Sequence, residues 1–189
     1  SAVHTVSSAY PELERGSHIF RHNLNGSNAG IQPPTTPSGY SRGAQFSAYP
    51  PLTNVTDYLG MAMDSTGNVY AIAPGRVTRY APDGQHFGPG GLGDTTPWLS
   101  SSALPSGFVI ASILVDGSDR VYLSGHAGGV TSSQILRFNA DRSPAPAPGQ
   151  SGAVFTYWTT YLKGVVNPTA MAIGPLDGHL YAANNFINA

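Results

Sequence analysis

The chain has 189 residues, of which 10% are charged, with a formal net charge of −1 and no cysteine. So sparse and balanced a charge leaves no basic stripe for phosphates, which argues against a nucleic-acid partner, and the lack of thiols excludes a disulfide framework and any thiolate metal site. The longest strongly apolar stretch, FVIASILV at 108–115, falls well short of the roughly 18–20 residues a membrane span needs, while 23 Gly and 16 Pro point to short strands joined by many turns.

The numbering opens on Ser1 with no charged-then-apolar leader, so a processed chain or a piece of a longer one is expected. The first predicted strand is IFRHNLNG at 19–26, and it has two echoes, VTRYAPDG at 77–84 and ILRFNADR at 135–142. Each has a β-branched residue, an Arg two places on and a polar turn residue four beyond the Arg: Ile19/Arg21/Asn25, Val77/Arg79/Asp83 and Ile135/Arg137/Asp141. The interval between successive copies is 58 residues both times.

The first copy ends on an N-glycosylation sequon, Asn25-Gly-Ser, and between it and the second copy lie QPPTTPSG at 32–39 and a second sequon, Asn54-Val-Thr. A hairpin is then predicted at MAMDSTGNVY, 61–70, because apolar residues alternate on either side of a Gly/Asp/Ser/Asn turn. ILVDGSDRVY at 113–122 matches it position for position, pairing Met61 with Ile113, Asp64 with Asp116 and Tyr70 with Tyr122. MAIGPLDGHLY at 171–181 is a third copy with one extra residue in its turn. The connectors GPGGLGD at 88–94, SGHAGGVTSS at 124–133 and SPAPAPGQSG at 143–152 separate these strands, and the last should be extended and solvated. The unit is therefore two strands in a hairpin, an Arg-bearing third strand and a Gly/Pro-rich run to a fourth, which is the content of a propeller blade.

GMAMDSTGNVYAIAPGRVTRYAPDGQ at 60–85 resembles one repeat of the NHL-type family: an apolar pair, an Asp, a turn with Gly, a Val-Tyr, then Arg-Val before an aromatic and an Asp-Gly turn. Residues 110–142 and 168–185 resemble it less closely, and 18–26 matches only the third strand. The Asn-His-Leu phrase of the family is missing, with Gly75-Arg76, Ser133-Gln134 and Ser17-His18 in its place. The resemblance implies a β-propeller, commonly six-bladed, without implying one activity.

The expected fold is thus all-β, with blades of four-stranded antiparallel sheets in an incomplete ring or a segment of a larger propeller. A partial blade over 10–58, blades over 59–109 and 110–166 and a partial blade over 167–189 sum to about three, whereas closed propellers take about 4 to 8. Either missing sequence or a neighbouring copy must cover the open ends.

Candidate sites divide into structural and functional readings. Asp64, Asp116, Asp83 and Asp141 recur at turn positions, where Asp and Asn cap their own backbone. Arg21, Arg79 and Arg137 would form a ring able to hold an acidic ligand, or would pack their stems against neighbouring sheets and pair locally. His18 and His22 share a strand face but lie roughly 13 Å apart, too far for one ion. His4, His86, His126 and His179 are scattered, and no metal, cofactor or catalytic set is expected. Related lactonase-like propellers hold a calcium at the central channel, and Asn167, with Asn184 or Asn185, stands faintly where that resemblance would place ligands. A neutral Asn where an acid is needed removes charge that calcium requires. Tyr70, Tyr122 and Tyr181 read as packing between blades, and Tyr157, Trp158 and Tyr161 as packing or a sugar platform. The preferred expectation is a non-catalytic extracellular or cell-surface module in a filament or scaffold. Its partners would be copies of itself or adjoining repeats, with glycans at Asn25 and Asn54. A calcium-dependent hydrolase and a ligand-binding propeller are the alternatives.

Overall fold

The structure, a computed structural model, describes residue 19 and residues 21–27, 58–127, 132–159 and 165–187. These residues are all-β, arranged in several small antiparallel sheets with one short 3-10 turn at Ser101–Ala103. The first sheet joins β1 (Gly60–Met63), β2 (Val69–Ala73) and β3 (Arg76–Tyr80) in that order. A small hairpin of β4 (Phe87–Gly88) and β5 (Gly91–Leu92) follows. The second sheet has four strands in sequence order, β6 (Val109–Val115), β7 (Val121–Ala127), β8 (Ser132–Phe138) and β9 (Val154–Thr159). The third pairs β10 (Val165–Ile173) with β11 (Leu180–Ile187).

The three hairpins and both Arg-bearing strands within 58–187 fall where alternation of apolar residues places them. A fourth rung in the first sheet shrinks to a single bridge, in which Val77 and Leu99 exchange backbone hydrogen bonds of 2.9 and 3.1 Å. Pro97 just before this bridge lacks a donor and the 3-10 turn follows at once, so no longer ladder can form. Two β-bulges mark the repeat independently of side-chain chemistry. One lies between Ile110 and Ser112, the other between Pro168 and Ala170, each two residues before the first apolar residue of its hairpin motif. At the first of them the strands close so tightly that a Cβ on Gly125 would stand 2.1 Å from the Val109 carbonyl oxygen and 2.9 Å from the Phe108 ring, so only glycine fits.

Successive sheets are stacked rather than placed side by side. All five residues of β2 are buried, so both of its faces are covered. One face presents Tyr70 and Ile72, with Val77 from β3, to Val121 and Leu123 of β7 and to Leu136 and Phe138 of β8. The opposite face presents Val69, Ala71 and Tyr80 to Ile19, with Tyr58 alongside. Each large apolar side chain so removed from water contributes roughly 1.5–3 kcal/mol. β6 lies against β1 on one side and β10 on the other, and β10 also meets β7 and β8.

Candidate functional site

The recurrent carboxylates fold their own hairpin turns. Asp64 Oδ1 accepts from the backbone N–H of Thr66 and of Asn68 at 3.0 and 2.9 Å, and Oδ2 takes the Asn68 amide at 2.8 Å and the Tyr70 hydroxyl at 3.3 Å. Asp116 repeats the arrangement with Ser118 N, Arg120 N, Arg120 Nε at 2.7 Å and Tyr122 Oη at 3.0 Å. Partial burial by itself would raise both carboxyls, but these donors outweigh it and hold them below the ordinary range. Tyr70 and Tyr122 are pushed up, first by desolvation. Asn25, Asp83 and Asp141 likewise accept from the backbone N–H two residues on, at Ser27, Gln85 and Ser143.

In the third hairpin the carboxylate comes from a position the sequence alignment does not pair. Gly174 stands where Asp64 and Asp116 stand, and Asp177 supplies the group instead, accepting from His179 N at 3.0 Å and from Tyr181 Oη at 2.6 Å. A Cβ at Gly174 would fall 2.1 Å from Asp177 Oδ1, so the glycine makes the room that the relocated carboxylate fills. The extra residue in this turn was the available signal.

The arginines lie on the same face as these tyrosines. Arg79 donates from Nε to the Phe87 carbonyl at 3.0 Å, and its guanidinium carbon sits 3.9 Å from the Phe87 ring centroid and 5.9 Å from that of Tyr70. Arg137 donates to the Ala145 and Pro146 carbonyls at 2.6 and 2.9 Å and lies 4.7 Å from the Phe155 centroid and 5.8 Å from that of Tyr122. Each cation is thereby layered between a strand tyrosine and a phenylalanine. Arg21 is exposed and lines a groove of about 470 Å³ with Ile19, Met61, Met63, Val69 and Pro82.

Two contacts that motif reading misses tie the first sheet to the second. Ser65 donates from N and Oγ to the two oxygens of Asp119, both at 2.7 Å, joining equivalent hairpin turns. Trp98 donates from Nε1 to the Ala140 carbonyl at 3.3 Å and meets Tyr70 edge-on, with centroids 5.0 Å apart. Between the second and third sheets, Ser124 Oγ donates to the Pro168 carbonyl at 2.7 Å. Near it, buried Ser133 Oγ and His126 Nδ1 have no hydrogen-bond partner among the described residues, although these residues face each other across β7 and β8.

Asn25 lies exposed in its turn, while Asn54 falls outside the described residues, as do His4, His18 and Tyr161. His22 is exposed and His86 buried. Asn167 on β10 is opposite Asn185 on β11, and Pro168 is opposite Asn184. Among the described residues no three of His, Asp and Glu converge where an ion could be held, and no helix is long and apolar enough to cross a membrane. Compared with models of protein families and with curated proteins, the chain matches none.

Proposed function

We propose that this chain is a non-catalytic, extracellular β-propeller module that serves structural assembly or adhesion in a surface filament or scaffold, and that neighbouring copies or adjoining repeats complete it. The observation that carries the reading is a face left uncovered. Tyr70 and Tyr122 are 0% and 4% exposed, each beneath the following sheet, whereas the equivalent Tyr181 is 57% exposed. A sheet of this pattern is built to be covered on both faces, and a large aromatic left at its surface marks an interaction site. The adjacency of β1, β6 and β10, the first strands of three successive units, supports a radial arrangement.

Asn25, exposed in a tight turn, is proposed to carry glycan if the chain is exported, and Asn54 is its companion sequon. Sugar there would hydrate a surface that charge hydrates poorly. Light scattering over a range of concentrations tests the assembly reading, with species heavier than the 19.7 kDa chain expected. A monomer at every concentration removes its support.

A further inference from the structure

The first sheet departs from the repeat at two positions that meet each other. Tyr58, just ahead of β1, and Tyr80, the last residue of β3, touch through their hydroxyls although β2 runs between those strands. Their rings stand edge to face, with centroids 6.5 Å apart and planes at 84°. In the second unit the same positions are Ile110 and Phe138, both in the apolar core. That unit folds without either hydroxyl, and taking two phenol oxygens out of water has a cost that apolar residues avoid. The paired hydroxyls are therefore an addition to the sheet and not a requirement of it.

Their setting favours hydrogen-atom chemistry over acid-base chemistry. Desolvation pushes Tyr80 far up, with the Tyr58 hydroxyl adding to it, and desolvation raises Tyr58 as well, so both are neutral phenols at neutral pH. A neutral phenol is oxidised most easily by losing its electron and its proton together, and here each hydroxyl has the other as hydrogen-bond partner. The two differ in access. Tyr58 is half-buried, whereas Tyr80 is 1% exposed and lies against the ring of buried His86, with centroids 4.9 Å apart.

We propose that Tyr58 and Tyr80 form an oxidative cross-linking site, at which hydrogen peroxide and a peroxidase join the two rings as an intrachain dityrosine that straps the start of β1 to the end of β3. The oxidant first removes a hydrogen atom from the Tyr58 hydroxyl, the more accessible of the pair. Tyr80 passes its own hydroxyl hydrogen across the contact, which restores Tyr58 and leaves the radical on the buried ring. A second oxidation of Tyr58 gives two adjacent radicals, and one bond forms between the ring carbons beside their hydroxyls. Each of those carbons releases a proton as each phenol oxygen regains one. In sum, two hydrogen atoms leave the pair, one carbon-carbon bond forms, and one molecule of hydrogen peroxide is reduced to two of water. The strap needs no second chain, so it stands or falls separately from the assembly reading above.

Trypsin cuts at Arg76 and Arg79, between the two tyrosines, and leaves them in peptides 44–76 and 80–120. After the dilute chain is treated with peroxide and peroxidase, mass spectrometry is expected to find these peptides joined and lighter than their sum by two hydrogen atoms. Dityrosine fluorescence should appear in material of single-chain size. Tyr58→Phe and Tyr80→Phe should each abolish the joined peptide and still fold, since Ile110 and Phe138 show that the positions accept apolar side chains. Treatment should also raise the melting temperature by roughly 5–10 °C, as for a cross-link between residues 22 apart, and should not do so in Tyr58→Phe. Recovery of both peptides unjoined, or dityrosine formed only between other tyrosines, overturns the site. A joined peptide with no gain in melting temperature overturns the strap.

Discussion

The joint between the first and second sheets and the joint between the second and third are built on one template with different fillings. The first is apolar, with Tyr70, Ile72, Val77, Trp98 and Leu99 set against Ile110, Ile113, Val121, Leu123, Leu136 and Phe138. In the second, Ser124 occupies the strand position that Ile72 has in the first, and it spends its hydroxyl on the carbonyl of Pro168. Ser133, 2% exposed, adds a second hydroxyl to this side of the sheet. A repeat can thus keep its backbone, its turn carboxylate and its tyrosine while one residue decides whether adjacent sheets fuse into a core or meet through a hydrogen bond. The apolar joint carries most of the stability, and the polar one depends on position and partner.

The sharpest way to break this contrast is Trp98→Ala. Trp98 is 1% exposed and tied to the second sheet through Ala140, so its removal should cost about 3–5 kcal/mol. Urea unfolding followed by tryptophan and far-ultraviolet signals would measure it. Tyr181→Ala in dilute protein should cost under about 0.5 kcal/mol, because that ring is mostly in water. Equal losses at the two positions would mean that the third sheet is as firmly covered as the first.

Next comes Asp116→Asn, which keeps the shape but loses the charge that accepts from Arg120 and Tyr122. A loss of about 1–3 kcal/mol is expected, with a smaller one for Asp177→Asn on the exposed third hairpin. The same carboxylates set the acid limit. Folding holds the Asp64 and Asp116 carboxyls below the ordinary aspartate range, so their contribution is complete above that range and is lost as pH falls through the lower folded values. Thermal melts between about pH 5 and pH 2 should show stability falling at the acid end, and Asp116→Asn should flatten the fall.

Ser124→Ala should cost about 1 kcal/mol by leaving the Pro168 carbonyl without its donor. The effect should appear as easier exchange of amides in β10 and β11 while those of β2 hold, since only the second joint is touched. Uniform loss across all three sheets would show the joints to be one cooperative unit.

The strands and their turns were legible because alternation and turn chemistry are local. Val69, Tyr70 and Ile72 announce a strand, and Asp64 and Asp116 announce its turn. The partners of those turns were not legible. Ser65 meets Asp119 across 54 residues, and nothing in either turn names the other. Trp98 stands in a connector whose single bridge is too short for any periodicity. Asp177 escaped the alignment because the carboxylate moved along the chain while its target, Tyr181, stayed. The arginines were legible as a repeat, but their layering between tyrosine and phenylalanine needs Phe87 and Phe155, which lie at different spacings from Arg79 and Arg137.

The smallest effect tests the clasp between the first two hairpin turns. Asp119 has φ 59°, in the left-handed region, where the equivalent turn of the first sheet has Gly67 at φ 85°. Two opposed terms act at this residue: the backbone favours glycine, while the carboxylate gains two hydrogen bonds from Ser65. Asp119→Gly loses the bonds but relaxes the backbone, so its stability should stay within about 0.5 kcal/mol of the parent. Asp119→Ala loses the bonds and keeps the strain, and should fall about 1 kcal/mol below the glycine variant. Ser65→Ala should cost no more than about 0.5–1 kcal/mol, because the clasp is exposed to water. Paired urea curves for the three variants check the order. If the alanine and glycine variants coincide, the left-handed turn is not imposed by the stack, and the first joint owes nothing to its hairpin ends.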